Sequence, residues 1–223
     1  MENNLIIIPS RMESKRLPGK PLLDIEGTPM VIRVAKQAIK SNSGLVYIAC
    51  CDEEVYKTAQ NYGINVIMTN PNHSSGTDRI YEAFKNINNT EKIDTIINLQ
   101  GDMPTISSST ISNLVKLKKT IPSDIFTLVN EINDEDEKLD KDTVKVALSL
   151  NKSKKYGKAL YFSRSLIPFG EGPVYHHIGV YAYSRESLEK FINLKPSKLE
   201  KRESLEQLRA LEANMDIKVG IVE

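Results

Sequence analysis

The chain has 223 residues, with 30 Lys and Arg against 29 Asp and Glu and a formal net charge of +1. This length allows one large domain or two small ones, with a core large enough that no disulfides are needed to hold the fold. The balanced charge argues against a general affinity for nucleic acid or anionic membranes.

Targeting and redox features are equally plain. No apolar run approaches the roughly 20 residues that would span a bilayer, so no membrane insertion is expected. The start of the chain, "MENNLIII", lacks the basic region of a secretory signal. Cys50 and Cys51 are neighbours at the end of an apolar run, and we interpret them as reduced thiols of the core. These features predict a globular protein of the cytoplasm.

Short apolar runs, several without polar alternation, predict strands buried on both faces of a sheet. The predicted strands are Leu5–Ile8, Val46–Cys50, Val66–Met68, Thr95–Leu99, Ile125–Val129, Val144–Leu150, Ala159–Phe162, Ile178–Tyr183 and Ile217–Val222.

Helical patterns separate the early strands. The first helix is predicted to have Thr28 as its N-cap and Pro29 as its first residue. A second is predicted over Glu53–Tyr62, with Gly63 as a left-handed C-cap. A third follows "SSGT", a fourth starts near Ser108, and "RESLEQLRALEAN" near the C-terminus carries a leucine stripe at helical spacing. The residues predicted to be buried on these helices are Val31, Val34, Ala35, Ala38, Ile39, Ile80, Phe84, Ile87, Ile111, Leu114, Val115, Leu205, Leu208 and Leu211.

Alternating strands and helices predict an α/β fold with a mostly parallel central sheet and flanking helices. The alternation weakens after about residue 130, where "NEINDEDEKLDKD" is interpreted as a solvated acidic loop. The strands after this loop are expected to form an antiparallel extension or a small lobe.

A cluster of cations directly follows the first predicted strand. Arg11, Lys15, Arg16 and Lys20 lie within ten residues, together with Gly19. Because ligands of open α/β sheets bind at the carboxyl ends of the strands, this loop predicts a polyphosphate site. One cation within 4 Å of a phosphate oxygen gains about 4 kcal/mol at an effective dielectric constant near 20.

Two familiar phosphate-binding motifs are excluded. Gly19-Lys20 is followed by Pro21 and not by Ser or Thr, so the loop is not a P-loop. No G-x-G-x-x-G follows Ile8, which argues against a dinucleotide-binding fold.

A second candidate element is "TIINLQGDMP", a strand that ends in Gln100-Gly101-Asp102. Asp102 is expected at the same edge of the sheet as the basic loop. A carboxylate that faces a triphosphate indicates Mg²⁺ bridging the two, so Asp102 is the candidate metal ligand.

Six segments together resemble the motifs of the 3-deoxy-manno-octulosonate cytidylyltransferases, in order and over nearly the whole chain. They are "IPSRMESKRLPGKPL", "SSGTDR", "NLQGDMP", "YFSR", "HHIGVY" and "SLEQLR". The resemblance implies a nucleotidyltransferase fold of the nucleotide-diphospho-sugar transferase type. It also implies one domain over residues 1–223, with residues 155–200 contributing a smaller lobe for sugar binding and homodimer formation.

The resemblance also implies an activity. The family transfers CMP from CTP to the anomeric hydroxyl of 3-deoxy-D-manno-octulosonate (Kdo) with Mg²⁺ and releases pyrophosphate, in cytoplasmic lipopolysaccharide biosynthesis.

Roles for individual residues follow from the matching motifs. Arg11 and Lys20 are expected to hold the triphosphate, assisted by Arg16, and Asp102 to bind Mg²⁺. Gly76 and Thr77 are expected near the cytosine and ribose, with Gln100 between nucleotide and sugar. The residues expected to contact the sugar acid are Arg164, His177, Glu206 and Gln207.

The chain departs from the family pattern at three places. Met103 stands where the family usually has glutamate, and Lys15 stands where it more often has Thr or Ser. The family's second metal-binding aspartate follows the last strand, and the sequence ends at Glu223 before a matching position.

Other functions remain open from the sequence. The acceptor could be another acid sugar, such as a sialate or 8-amino-Kdo, or the chain could be a truncated nucleotide-binding protein without catalysis. A metal-dependent glycosyltransferase usually needs an Asp-x-Asp pair, and Gln100-Gly101-Asp102 offers one carboxylate.

Overall fold

The structure of the chain is a computed structural model that describes residues 3–13, 17–153 and 155–223. Its contacts divide the chain into two compact units, the first ending at Ser112 and the second beginning at Asn113. The domain organisation expected from the resemblance stays a prediction.

The main sheet of the first unit has four parallel strands: β1 (Asn4–Ser10), β4 (Leu45–Cys50), β5 (Asn65–Met68) and β6 (Thr95–Leu99). Two short strands, β2 (Asp24–Ile25) and β3 (Thr28–Pro29), form a separate pair. The sheet order is β5-β4-β1-β6, and β1 pairs with both β4 and β6 in parallel. Every residue of β1 is buried, because an inner strand covered on both faces needs an unbroken apolar run.

Three helices follow strands of this unit: α1 (Met30–Lys40), α2 (Glu53–Asn61) and α3 (Gly76–Asn86). The predicted start of α1 was wrong, because Thr28 and Pro29 form β3, which pairs with β2, and no side chain caps the helix. Ile39 is 52% exposed, so the apolar face of α1 ends at Ala38. Gly63 has φ +68°, which confirms the left-handed turn after α2.

The fourth helix, α4 (Ser108–Thr120), begins where it was predicted and buries Ile111, Leu114 and Val115. The strands of the second unit are β7 (Ile125–Glu131), β8 (Lys145–Leu150), β9 (Tyr156–Ser163), β10 (Tyr175–Tyr183) and β11 (Ile217–Ile221). They lie in the order β10-β7-β11-β9-β8, and β10 also pairs with β8.

The pairing differs between the two units. In the second unit β7 and β11 are parallel, whereas the pairs β10–β7, β11–β9, β8–β9 and β10–β8 are antiparallel. The α/β class is confirmed, but the expectation of mostly parallel pairing applies to the first unit only. Strands β8, β9 and β10 follow one another without a long helical crossover, and such short connections favour antiparallel neighbours.

The second unit also contains four short helices that the sequence predicted poorly: α5 (Glu135–Leu139), α6 (Arg185–Ile192), α7 (Lys198–Glu203) and α8 (Leu208–Glu212). Helix α5 forms inside the predicted acidic loop, where the Asp134 side chain accepts from the Asp136 N–H. The predicted leucine stripe does not lie on one helix, because residues 204–207 form a turn that places Leu205 before α8, while Leu208 and Leu211 lie in it. Ser204, which ends α7, adopts a left-handed conformation (φ 56°).

Two further expectations concern the chain as a whole. In the ranges that the structure describes, none of the helices has the length and apolar character needed to cross a membrane. Cys50 and Cys51 are free thiols, and burial raises the pKa of Cys50 to about 12.

Candidate active site

A cavity of ≈ 380 Å³ lies at the carboxyl ends of β1 and β6 and at the amino end of α3. Five residues predicted to bind the nucleotide or the metal line it: Arg11, Lys20, Gly76, Gln100 and Asp102. The loops after two neighbouring parallel strands therefore meet at one edge of the sheet, as expected for a ligand site of an α/β unit. Arg16, also predicted to bind the nucleotide, lies outside the described residues.

The basic loop and the loop after β6 are joined by an ion pair. Lys20 Nζ lies 2.8 Å from Asp102 Oδ2, and both side chains are partly open to solvent (29% and 50% exposed). Gly19 positions Lys20, because its φ of +74° turns the chain and its N–H donates to the Met12 carbonyl at 2.9 Å. The Met12 N–H in turn donates to Asp52 Oδ2 at 2.8 Å, which ties the loop to the start of α2.

The donors around Asp102 fit a magnesium ion that is shared with phosphate oxygens. Mg²⁺ is usually held by one or two carboxylates together with phosphates and water. No group of three or more His, Cys, Asp or Glu residues that could hold a metal occurs in the described part of the chain. Asp102 can therefore supply one ligand of a metal that a nucleotide completes, and Glu13, which sequence reasoning missed, adds a second carboxylate to the cavity wall. Met103 is not among the described residues that line the cavity.

Gly101 brings the loop after β6 against the end of β1. A Cβ atom at Gly101 would lie 2.9 Å from the carbonyl oxygen of Pro9, closer than real Cβ atoms come to backbone. The adjacent Gln100 and Asp102 are therefore held at the cavity wall by a backbone contact that only glycine allows.

A buried hydrogen-bond chain orients Gln100. Its Nε2 donates to Asn98 Oδ1 at 3.0 Å, and Asn98 Nδ2 donates to Thr77 Oγ1 at 3.2 Å. Thr77 is only 1% exposed, and Asn98 is fully buried. The structure thus places Thr77 behind the cavity wall as a support for Gln100, while its neighbour Gly76 lines the cavity.

Arg79 and His73 are cavity residues that sequence reasoning missed. Arg79 is 2% exposed, and its Nη1 donates to Thr69 Oγ1 at 2.6 Å. Its Nη2 is buried without a hydrogen-bond partner in the described part of the chain. Arg79 ends the segment "SSGTDR", so its presence in that motif was the available signal.

His73 is held by a hydrogen bond between its Nε2 and Glu82 Oε2. Burial by itself raises the pKa of Glu82, but hydrogen bonds from His73 and from the Asn70 N–H outweigh it, and that pKa lies below its ordinary value. This contact ties the segment before α3 to the helix itself.

In the second unit, Arg164 follows β9 and is held by several hydrogen bonds. Its backbone N–H donates to Glu203 Oε2 at 3.1 Å, and its Nε donates to the Glu203 carbonyl at 3.1 Å. Its Nη1 donates to the Lys141 carbonyl at 3.0 Å. Arg164 is therefore fixed by contacts from two segments distant in sequence.

The adjacent histidines on β10 occupy different environments. His177 is 8% exposed, lies 3.0 Å from Thr127 Oγ1 through its Nε2, and packs edge-on against Phe162. Burial lowers the pKa of His177 to about 3, so its imidazole is neutral at physiological pH. His176 is partly exposed, and its Nδ1 lies 2.9 Å from Glu137 Oε1.

Glu206 and Gln207 lie between α7 and α8. Gln207 is 6% exposed at the start of α8, and the Glu206 carboxylate lies 3.8 Å from Arg209 Nη2. The Tyr181 ring lies 5.3 Å from that of His177, and burial and then the Glu206 charge raise the Tyr181 pKa. Tyr181 therefore packs against His177, and sequence reasoning did not select it although it ends "HHIGVY".

Comparison with known proteins identifies the family. The cytidylyltransferase family model matches residues 5–217. A 3-deoxy-manno-octulosonate cytidylyltransferase of Brucella canis is 49% identical over 98% of this chain and 87% of its own length. One of Sinorhizobium medicae is 48% identical over the same shares.

A solved structure of CMP:2-keto-3-deoxy-manno-octonic acid synthetase complexed with CTP is also similar. It superimposes with a TM-score of 0.89 at 37% identity, covering 98% of this chain and 89% of that one. The chain belongs to the 3-deoxy-manno-octulosonate cytidylyltransferase family.

Proposed function

We propose that the chain transfers CMP from CTP to the anomeric hydroxyl of Kdo and releases pyrophosphate, for lipopolysaccharide biosynthesis. The observation that carries this proposal is the cavity of the first unit, where Lys20 and Asp102 meet at the ends of β1 and β6. The similarity to Kdo cytidylyltransferases at 49% identity supports Kdo as the acceptor.

The residues of the cavity suit in-line attack by a sugar hydroxyl on the α-phosphorus of CTP. Such transfers depend on positioning and on neutralisation of charge, and they require no covalent nucleophile from the protein. Lys20 and Arg11 supply cations for the triphosphate, and Gln100 is held in place by Asn98. Asp102 would hold Mg²⁺, which when bound supplies further neutralisation of the phosphate charge.

Acceptor recognition is assigned to the second unit. We infer that Arg164 meets the sugar carboxylate, since guanidinium and carboxylate groups pair with good geometry. His177, Glu206 and Gln207 are proposed to contact the sugar hydroxyls, with His177 acting as a neutral hydrogen-bonding group. Tyr181 packs beside His177 and supports it.

We also propose a homodimer formed through residues 155–200. Three large apolar side chains of this segment are exposed, Leu160 (56%), Leu166 (45%) and Phe169 (106%), and burying them in an interface would gain hydrophobic free energy. A molar mass near 50 kDa by light scattering is expected, about twice the chain's 25.1 kDa. A cytoplasmic location is proposed because that compartment supplies CTP.

The decisive test of the activity is pyrophosphate release from CTP and Mg²⁺ with Kdo, a sialate or 8-amino-Kdo as acceptor. We expect release with Kdo and much slower release with the other sugars. Lys20→Ala is expected to lower turnover by roughly 10²-fold, as for loss of one preorganised donor. Lys40→Ala, an exposed lysine at the end of α1, is the matched control and should keep full activity.

Two results would contradict the proposal. Faster turnover with a sialate or with 8-amino-Kdo than with Kdo would show that the acceptor is that sugar and not Kdo. Thermal stabilisation by CTP without pyrophosphate release from any acceptor would mean that the chain binds the nucleotide without catalysis.

A further inference from the structure

Lys145, the first residue of β8, is a buried cation that the proposed chemistry does not use. Its side chain has no exposed surface. Its ammonium donates to three backbone carbonyls, those of Asp140 at 2.5 Å, Thr143 at 2.7 Å and Arg164 at 2.9 Å. All three donors of the ammonium are thus used, as a buried charge requires.

The three carbonyls belong to two segments that both position Arg164. One is the carbonyl of Arg164 itself. The other two carbonyls, of Asp140 and Thr143, lie on either side of Lys141 in the sequence. The Lys141 carbonyl itself accepts a hydrogen bond from Arg164 Nη1. Lys145 therefore holds the backbone of Arg164 and also the turn that supports its guanidinium.

Two further hydrogen bonds of Arg164 come from Glu203, the residue before the turn at Ser204, and the Asp142 carboxylate lies 3.9 Å from Arg164 Nη1. Glu203 binds the Arg164 N–H through its carboxylate and Nε through its carbonyl. Among the hydrogen bonds of the described residues, these contacts use Nε and Nη1 and leave Nη2 to meet a ligand. The ammonium of Lys145 also adds positive charge beside Arg164, which favours an acidic ligand over a neutral one.

We propose that Lys145 is a positioning residue for acceptor recognition, which fixes Arg164 and the turn at residues 140–143 in the arrangement that receives the carboxylate of the acid sugar. This inference rests on the proposed function, because it assigns Arg164 to the acceptor. Lys145 itself touches no substrate; it acts through Arg164.

The test is steady-state kinetics of Lys145→Met and Lys145→Arg with Kdo and CTP varied separately. Methionine keeps the length of the side chain but donates to none of the three carbonyls. Arginine keeps the charge, but its planar fork cannot place three donors around one nitrogen position. Lys195→Met, an exposed lysine of the same unit, is the matched control.

We expect both Lys145 variants to raise the KM for Kdo, by roughly 10- to 100-fold for methionine, because displacement of a positioning group by about 1 Å has effects of that size. The KM for CTP should stay within about twofold of the unchanged protein, since CTP is assigned to the first unit. A residue needed only for folding would lower the amount of active protein and leave both KM values unchanged.

A double-mutant cycle with Arg164→Ala separates the remaining possibilities. If Lys145 acts through Arg164, Lys145→Arg should change the KM for Kdo little once Arg164 is alanine. If Lys145→Met does not fold, Lys145→Arg decides the question alone. An unchanged KM for Kdo in a folded Lys145→Arg, or full additivity with Arg164→Ala, would overturn the inference.

The unsubstituted chain is measured in parallel. If this chain turns over Kdo and Lys145→Arg has an unchanged KM for Kdo, the positioning role is rejected and the proposed function stands. No turnover of Kdo by the unsubstituted chain rejects the proposed function, and the inference falls with it.

Discussion

At the scale of single residues, His176 and His177 show how neighbours on one strand acquire opposite properties. Successive side chains of β10 point to opposite faces, so His177 enters the core beside Phe162 while His176 meets Glu137 near solvent. The family motif selected His177, and nothing in its composition distinguished it from His176. Its neutral state is a property of the packed protein.

The lowered pKa of His177 predicts a dependence of stability on pH. The unfolded chain takes up a proton near pH 6.5, whereas the folded protein does so near pH 3, so folding excludes a proton between these values. Above pH 6.5 His177 is neutral in both states, so its titration does not lower the free energy of unfolding there. The free energy of unfolding should fall as the pH is lowered from 6.5 towards 3, by up to about 1.4 kcal/mol per pH unit.

Urea unfolding of the unsubstituted chain, His177→Gln and His176→Gln at several pH values checks this prediction. His177→Gln should lose stability less steeply below pH 6.5, since glutamine has no proton to take up. His176→Gln serves as control and should keep the steep dependence. Equal slopes for all three proteins would show that His177 titrates normally.

At the scale of elements, the break between α7 and α8 explains why one helix was predicted and two were found. The segment predicted as one helix, residues 202–214, carries Leu205, Leu208 and Leu211 at helical spacing, which favours a continuous helix. Instead, α7 starts in a capping box between Ser197 and Glu200 and ends at Ser204. The buried guanidinium of Arg209 then binds the Glu200 carboxylate at 2.5 Å and 2.9 Å. This paired contact between the two helices stabilises the bent path and has no signature in local periodicity.

Ser204 itself supplies a prediction about this break. A non-glycine residue at φ 56° costs about 1–2 kcal/mol, and glycine removes that cost while adding about 0.5–1 kcal/mol of chain entropy. Ser204→Gly should therefore stabilise the protein by about 0.5–1 kcal/mol, or roughly 1–4 °C in Tm.

Calorimetry compares this variant with Asn214→Gly, whose φ is 58°. Asparagine tolerates the left-handed region better than serine does, so the control should change Tm by less. A lower Tm for Ser204→Gly would mean that the serine side chain makes a compensating contact.

At the scale of the whole molecule, the proposed function predicts stabilisation by the nucleotide. CTP with Mg²⁺ is expected to bind the folded chain and not the unfolded one, and at 100 times its dissociation constant it would add about 2.7 kcal/mol, or roughly 5–10 °C in Tm. At the same CTP concentration, Lys20→Ala should reduce the stabilisation by the nucleotide, by about 1.4 kcal/mol for each tenfold loss of CTP affinity.

Thermal unfolding with CTP, with ATP and without nucleotide measures this effect, and Lys40→Ala serves again as the matched lysine control. An equal shift with ATP would argue against selection of cytosine. An unchanged Tm shift with CTP in Lys20→Ala would show that Lys20 does not bind the triphosphate.

The sequence by itself determined the longer strands, the four helices α1 to α4, the parallel core of the first unit and the two loops that carry Lys20 and Asp102. It could do so because these features depend on local patterns: continuous apolar runs become buried strands, and the residues after parallel strands gather at one sheet edge. The motifs then added the family.

Only the tertiary structure decided the states of individual polar groups. Lys145, Arg79 and Thr77 belong to residue types that are usually exposed, and each is buried by partners far away in sequence or across a turn. The same holds for the neutral imidazole of His177 and for the bend at Ser204. The physical reason is that burial and hydrogen-bond satisfaction depend on which segments meet in space, and this is set by the packing of the whole chain rather than by any short stretch of it.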